Sequence, residues 1–88
     1  MARSVKFTDE AWKDYQDWAE DKKTLKKINS LIKDAQRTPN EGLGNPHELS
    51  GDLAGFWSRS INKKDRLVYA FDDLCIDVVS CKFHYGDH

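Results

Sequence analysis

No stretch of this chain is apolar for long enough to cross a bilayer, which takes about 20 consecutive apolar residues in a helix. The first residues, Met1-Ala2-Arg3-Ser4-Val5, lack the apolar centre of a secretory signal. Both absences lead to the expectation of a cytoplasmic protein with no membrane partner. Length sets another limit. With 88 residues, the chain suits one domain spanning 1–88, and its core is too small to enclose a large organic cofactor. No cofactor is expected. Cysteine is scarce, with only Cys75 and Cys81. On one strand they would stand roughly 20 Å apart at about 3.3 Å per residue. A disulfide needs Cα atoms within about 7 Å, so both read as small core residues. No Cys/His cluster has metal-ligand spacing, and no metal site is expected.

A net positive charge is also missing. Fourteen Lys and Arg face fifteen Asp and Glu, for a net charge of −1, where nucleic-acid binders usually have a basic balance. The distribution softens that objection. Residues 8–21 carry six carboxylates against Lys13, and residues 22–37 carry six cations against Asp34. The whole-chain figure therefore hides two poles of opposite sign.

What is present is concentrated in the last third. Phe56 to Ile61, Arg66 to Phe71 and Cys75 to Tyr85 are three runs rich in β-branched and aromatic residues, separated by polar turns. They predict three consecutive antiparallel strands. Alternation puts Leu67, Tyr69 and Phe71 on one face of the middle strand, and Arg66, Val68 and Ala70 on the other. In the last strand Ile76, Val78, Ser80, Lys82 and His84 share a face. A face presenting Arg, Lys, His and Tyr is suited to gripping a phosphodiester and moving protons around it.

The earlier residues read as support. Ser4-Val5-Lys6-Phe7 alternates as a short strand. Thr8 is a helix N-cap, with Asp9 and Glu10 favourably placed in the first turn. Trp12, Tyr15, Trp18 and Ala19 recur at helical spacing as a core stripe on a helix ending near Asp21. A second helix starts around Lys22 to Thr24, with Leu25, Ile28, Leu31, Ile32 and Ala35 on its apolar face. The short link makes the pair a hairpin. Thr38 to Pro46 is a turn-rich connection, and Pro46-His47-Glu48-Leu49 reads as a short edge strand.

Several segments carry a likeness to a known family. They are Lys27-Ile28-Asn29-Ser30-Leu31-Ile32-Lys33-Asp34, Arg37-Thr38-Pro39, Gly42-Leu43-Gly44, Phe56-Trp57-Ser58-Arg59, Arg66-Leu67-Val68-Tyr69 and Cys81-Lys82-Phe83-His84-Tyr85. In this order they resemble the YoeB/Txe toxins of the RelE superfamily of bacterial type II toxin–antitoxin systems. The resemblance implies an α+β fold of the microbial-ribonuclease type. In it a two-helix hairpin packs on one face of a twisted, mainly antiparallel sheet of four or five strands. It implies metal-independent mRNA cleavage in the ribosomal A site, and hence inhibition of translation. The implied partners are the ribosome with its mRNA and a YefM/Phd-type antitoxin. Operator DNA would be contacted only through that antitoxin, and many members form homodimers.

The chemistry suits the residues. RNA carries its own nucleophile, the 2′-hydroxyl, and general acid–base help is worth about 10²–10⁴-fold. A guanidinium aimed at the phosphorane stabilises the charge that develops there. Carried over by position, Arg66 stabilises the transition state. His84 acts as the acid or holds the phosphate, and Tyr85 is a nearby donor or stacking surface. Arg59, Ser60 and Lys82 contact RNA. The second helix and the open sheet face would receive the antitoxin, whose acidic tail would pair with Arg59, Arg66 and Lys82.

Three positions depart from the pattern. Where relatives read Pro-Glu-Pro-Leu or Pro-Glu-Ala-Leu, this chain has Pro46-His47-Glu48-Leu49. The general base is then either His47, since histidine is the residue type suited to proton transfer near neutral pH, or Glu48 re-aimed by a bulge. Ser60 stands where a second arginine is common, and Ser50 where a lysine is. These departures support an alternative function, a weakened toxin that mainly binds its antitoxin and co-represses its operon.

Overall fold

The computed structural model describes residues 2–83. The two residues carried over from the C-terminal motif, His84 and Tyr85, lie outside the described residues. The elements run β1 (Ser4–Phe7), α1 (Asp9–Asp17), α2 (Lys22–Arg37), β2 (His47–Glu48), a 3-10 turn (Gly51–Leu53), β3 (Trp57–Ser60), β4 (Arg66–Phe71) and β5 (Cys75–Ser80). The strands form one sheet in the order β1-β5-β4-β3-β2. β1 pairs with β5 in parallel, and the other three pairings are antiparallel. The α+β architecture, the two helices and the short β2 edge strand all match the expectation from sequence.

α2 forms where the apolar spacing places it. Asp21 caps it by accepting from the Thr24 amide at 3.0 Å, which satisfies one of the first-turn donors that lack a helical partner. Ile28, Leu31, Ile32 and Ala35 are buried, and they meet Leu67, Tyr69, Ile76 and Val78 in one cluster. Full burial of a side chain such as Ile28 or Leu31 contributes about 1.5–3 kcal/mol.

α1 differs from its expected orientation. Thr8 does cap it, accepting from the Ala11 amide at 3.1 Å. The helix stops at Asp17 rather than near Asp21. Its buried positions are Ala11 and Asp14, while Trp12 is 48% exposed and Ala19 is exposed. Trp12 stacks on Tyr15 with centroids 5.6 Å apart and meets the edge of Phe7. Trp18 packs at the core margin and donates its indole N–H to the Cys81 carbonyl at 2.8 Å. The inward face is chosen by close approach and hydrogen bonding. Alanine lets the helix axis come near β5, and the Asp14 carboxylate accepts the Cys81 amide at 3.2 Å.

The sheet has one covered and one open face. The register puts Trp57 opposite Tyr69, and Arg59 opposite Leu67, on the helix side. Ser58 opposite Val68, and Ser60 opposite Arg66, lie on the other. β5 then breaks its own alternation. Tyr69 pairs with Val78, but Val68 pairs with Ser80, so Val79 is an extra residue in the strand. A single insertion of this kind exchanges the faces of everything after it. Ile76 and Val78 are buried, and beyond the bulge Cys81 takes the buried place while Ser80 and Lys82 are half-exposed. The expectation that Ile76, Val78, Ser80 and Lys82 share one face is therefore corrected. The strand also ends at Ser80 rather than continuing toward Tyr85. Both cysteines are buried free thiols, as read from the sequence.

Candidate functional site

The open face gathers several of the residues singled out from sequence. β2 pairs with β3 so that His47 stands opposite Ser58 and Glu48 opposite Trp57. Ser58 in turn faces Val68 and Ser60 faces Arg66 across the β3–β4 ladder. Directly opposed residues share a face, so His47, Ser58, Ser60 and Arg66 lie on one side of the sheet. Glu48 takes the other side with Trp57, and no bulge separates the two pairs. Arg66 is exposed, with one guanidinium nitrogen 3.5 Å from the buried Ser58 hydroxyl. His47 is exposed, and its Nδ1 lies 3.3 Å from the Asn45 carbonyl. If Nδ1 carries the proton there, Nε2 is left as an acceptor.

Arg59 is not in this group. It is 0% exposed, and all five of its N–H donors have acceptors inside the protein. Nη1 donates to Asp34 Oδ2 at 2.6 Å and to the Leu43 carbonyl at 3.1 Å. Nη2 donates to the carbonyls of Thr38 at 2.7 Å and Glu41 at 3.0 Å. Nε donates to the Tyr69 hydroxyl at 2.9 Å, which itself donates to the Pro39 carbonyl at 2.6 Å. The expectation that Arg59 contacts RNA or an acidic tail is corrected: its charge is spent on closing the 38–44 loop over the sheet. Lys82 pairs with Asp17 at 3.2 Å in an exposed bridge, so its cation is directed toward α1. Such exposed pairs contribute little to stability.

The loop is built for that buried guanidinium. Gly42 has φ +119°, and a Cβ there would lie 2.1 Å from the Asp34 carboxylate. Gly44, at φ +79°, would press a Cβ to 2.8 Å from Leu31 and 3.1 Å from Arg59. Both glycines are needed for conformation and for space. The Gly44 carbonyl also accepts the Ser60 amide at 2.7 Å, which ties the loop to the site strand. The Asp34 carboxyl is held below the usual range, first by the Leu43 amide and then by Arg59. Burial pushes the Tyr69 hydroxyl up.

Asp34 gives a pH test. A carboxyl whose pKa is depressed by folding stabilises the fold above its unfolded pKa, and that stability is lost as pH falls through the folded value. Wild-type stability should therefore decline below about pH 4. Asp34→Asn should be weaker at neutral pH and decline less in acid. Urea midpoints measured from pH 7 to pH 2.5 check this, and parallel curves for the two proteins would contradict it.

Neither thiol is poised as a nucleophile. Burial pushes Cys81 up to about 12, with the nearby carboxylates of Asp14, Asp65 and Asp17 adding to the effect. Cys75 is raised by the same cause, reinforced by Asp77. Sequence reasoning did not single out Asp14, Asp34 or Asp65 as polar anchors. Only the phase of Arg59 with Trp57, in register with Leu67 and Tyr69, pointed toward its burial.

Among the described residues no helix is long and apolar enough to cross a membrane. Residues 7–85 match the family model described as YoeB-like toxin of bacterial type II toxin-antitoxin system. Toxin YoeB of Escherichia coli strain K12 is 50% identical over 80 residues, covering 90% of this chain and 95% of that one. The YoeB dimer from Staphylococcus aureus superposes with a TM-score of 0.87 at 42% identity, covering 97% of this chain and 100% of the other. The YoeB-YefM complex from the same organism gives 0.88 at 41% identity with the same coverage. The RelE-like expectation for the fold is thereby met, and the chain belongs to the YoeB-like toxins of bacterial type II toxin–antitoxin systems.

Proposed function

We propose that this toxin is a ribosome-dependent, metal-independent endoribonuclease that cleaves mRNA in the A site, with His47 rather than Glu48 as its general base. The observation that carries the reading is the shared face of His47, Ser58, Ser60 and Arg66 on the uncovered side of the sheet. His47 takes the proton from the 2′-hydroxyl, and the 2′-oxygen bonds to phosphorus. Arg66 stabilises the charge on the non-bridging oxygens as the phosphorane forms. The bond to the 5′-oxygen breaks, leaving a 2′,3′-cyclic phosphate. The leaving oxygen takes a proton from His84, a role that rests on the resemblance, as does the supporting role of Tyr85. The chain's net charge of −1 gives it little general hold on RNA. The ribosome supplies that hold and aligns the strand, which is itself worth a large factor.

The test is primer extension on mRNA held in stalled ribosomes. His47→Ala should slow cleavage by about 10²–10⁴-fold, the usual worth of a general base. Glu48→Ala should stay within a few-fold of wild type. The opposite ranking would move the base to Glu48. By the same reasoning a YefM-type antitoxin is the partner that silences the site, with its acidic segment drawn to Arg66 rather than to the buried Arg59.

One observation favours a second reading. Ser60 lies directly opposite Arg66, so the position where relatives commonly carry another arginine adds no cation beside it. A toxin weakened in this way would act mainly as antitoxin-binding partner and operon co-repressor. Growth arrest on induction, relieved by Arg66→Ala, selects the nuclease. Harmless expression of folded protein selects the co-repressor.

A further inference from the structure

The segment leading to His84 leaves the β4–β5 ladder after Ser80, and polar contacts from two sides then hold it. From α1, Asp14 accepts the Cys81 amide and Trp18 donates to the Cys81 carbonyl. From the β3–β4 turn, Asp65 Oδ1 accepts the Phe83 amide at 2.7 Å. Cys81 is also buried in the core, whereas Phe83 is 45% exposed. The Lys64 ammonium lies 5.9 Å from its ring centroid.

Asp65 is itself rigidly held. It is 4% exposed. Its Oδ2 accepts from the Asn62 side-chain amide at 3.0 Å, and its own backbone amide donates to Asn62 Oδ1 at 2.7 Å. A carboxylate accepting a backbone amide makes a stronger bond than a neutral acceptor does. In the chain, Asp65 immediately precedes Arg66 and Phe83 immediately precedes His84. A single side chain thus joins the neighbours of the two residues assigned to the same phosphate.

We propose that Asp65 is a positioning residue for cleavage, tying the backbone at Phe83, one residue before His84 in the sequence, to the start of the strand that carries Arg66. The inference rests on the nuclease reading. Misplacing a reacting group by about 1 Å can cost on the order of 10²-fold in rate. Loss of the tether should therefore lower kcat more than it alters KM.

The experiment pairs amide hydrogen exchange with single-turnover cleavage on stalled ribosomes, for wild type, Asp65→Ala and Asp65→Asn. In Asp65→Ala the Phe83 amide should exchange at least ~10-fold faster, while the Tyr69 and Val78 amides keep their protection. Its kcat should fall about 10–100-fold, with KM within about threefold. Asp65→Asn keeps an acceptor oxygen and should restore both quantities most of the way. Unchanged Phe83 exchange in Asp65→Ala overturns the inference. So does fast exchange with wild-type kcat, and so does equal loss of protection at Tyr69 and Val78, which would make Asp65 a general support of the fold. Absence of cleavage by the wild type removes the nuclease reading and the catalytic purpose of the tether with it. The exchange data separate that failure from a missing tether.

Discussion

Arg66→Ala should sharply slow mRNA cleavage while leaving the protein folded. The expected loss is about 10²–10³-fold in the cleavage rate, the usual worth of a donor that acts on charge developing in the transition state. Folding should be spared because the guanidinium is exposed and its hydrogen bond to the Ser58 hydroxyl is long, at 3.5 Å. Surface substitutions of this kind usually stay within about 0.5 kcal/mol. Arg66→Lys should recover only part of the rate, since an ammonium keeps the charge but loses the planar fork that matches two phosphate oxygens. Three measurements decide the matter: single-turnover cleavage on stalled ribosomes, growth of cells after induction, and the thermal midpoint of each variant. Full cleavage by a folded Arg66→Ala protein would remove this residue from the mechanism. It would also leave the shared face of His47 and Arg66 without a chemical purpose.

The parts of the molecule that were legible in the sequence are those governed by apolar periodicity. α2 follows its stripe from Ile28 to Ala35, and β4 places Leu67 and Tyr69 inward by simple alternation. The misread parts are those where a polar group decides. The aromatic spacing of α1 suggested a core stripe through Trp12, yet the inward positions are Ala11 and Asp14. A carboxylate that serves as an amide acceptor leaves no mark in a hydrophobic pattern. The bulge at Val79 has no signature either, because β-branched residues run through it unchanged. Its effect is large all the same, since it sends Cys81 inward and keeps Lys82 out of the core. The choice between His47 and Glu48 needed the register with Ser58 and Trp57, and residue type alone left it open. Arg59 shows the same limit from the other direction. A cation beside a tryptophan in a nuclease-like motif invites a phosphate, but the motif positions Thr38, Pro39, Leu43 and Tyr69 all turn out to contact that arginine or its partner hydroxyl. Part of the sequence that carries the resemblance thus forms, in this protein, a buried polar joint rather than the site itself.

That joint yields the second large effect, and it separates two arginines that the sequence presents alike. Arg59→Leu should destabilise the protein by about 3–5 kcal/mol, the usual cost of removing one partner from a buried ion pair. The reason lies in what remains. Asp34 would lose its 2.6 Å partner, and the carbonyls of Thr38, Glu41 and Leu43 would lose donors under a loop whose glycines fit only this path. The Tyr69 hydroxyl, buried between Arg59 and Pro39, would lose its Arg59 donor and keep its bond to the Pro39 carbonyl. Domains of this size have a total stability of about 5–15 kcal/mol, and each kcal/mol shifts the thermal midpoint by about 4–8 °C. A drop of about 12–40 °C is therefore expected, with loss of soluble protein on expression at 37 °C. Removing the charge at both ends should be less harmful than removing it at one, because apolar replacement of a buried pair can be close to neutral. In the double variant Arg59→Leu with Asp34→Leu, the three loop carbonyls still lack donors, so recovery should be partial. Thermal and urea unfolding of the two single variants and the double variant form a complete cycle. If Arg59→Leu melts within a few degrees of wild type, the arginine does not lock the loop. Its role would then have to be sought at the surface after all.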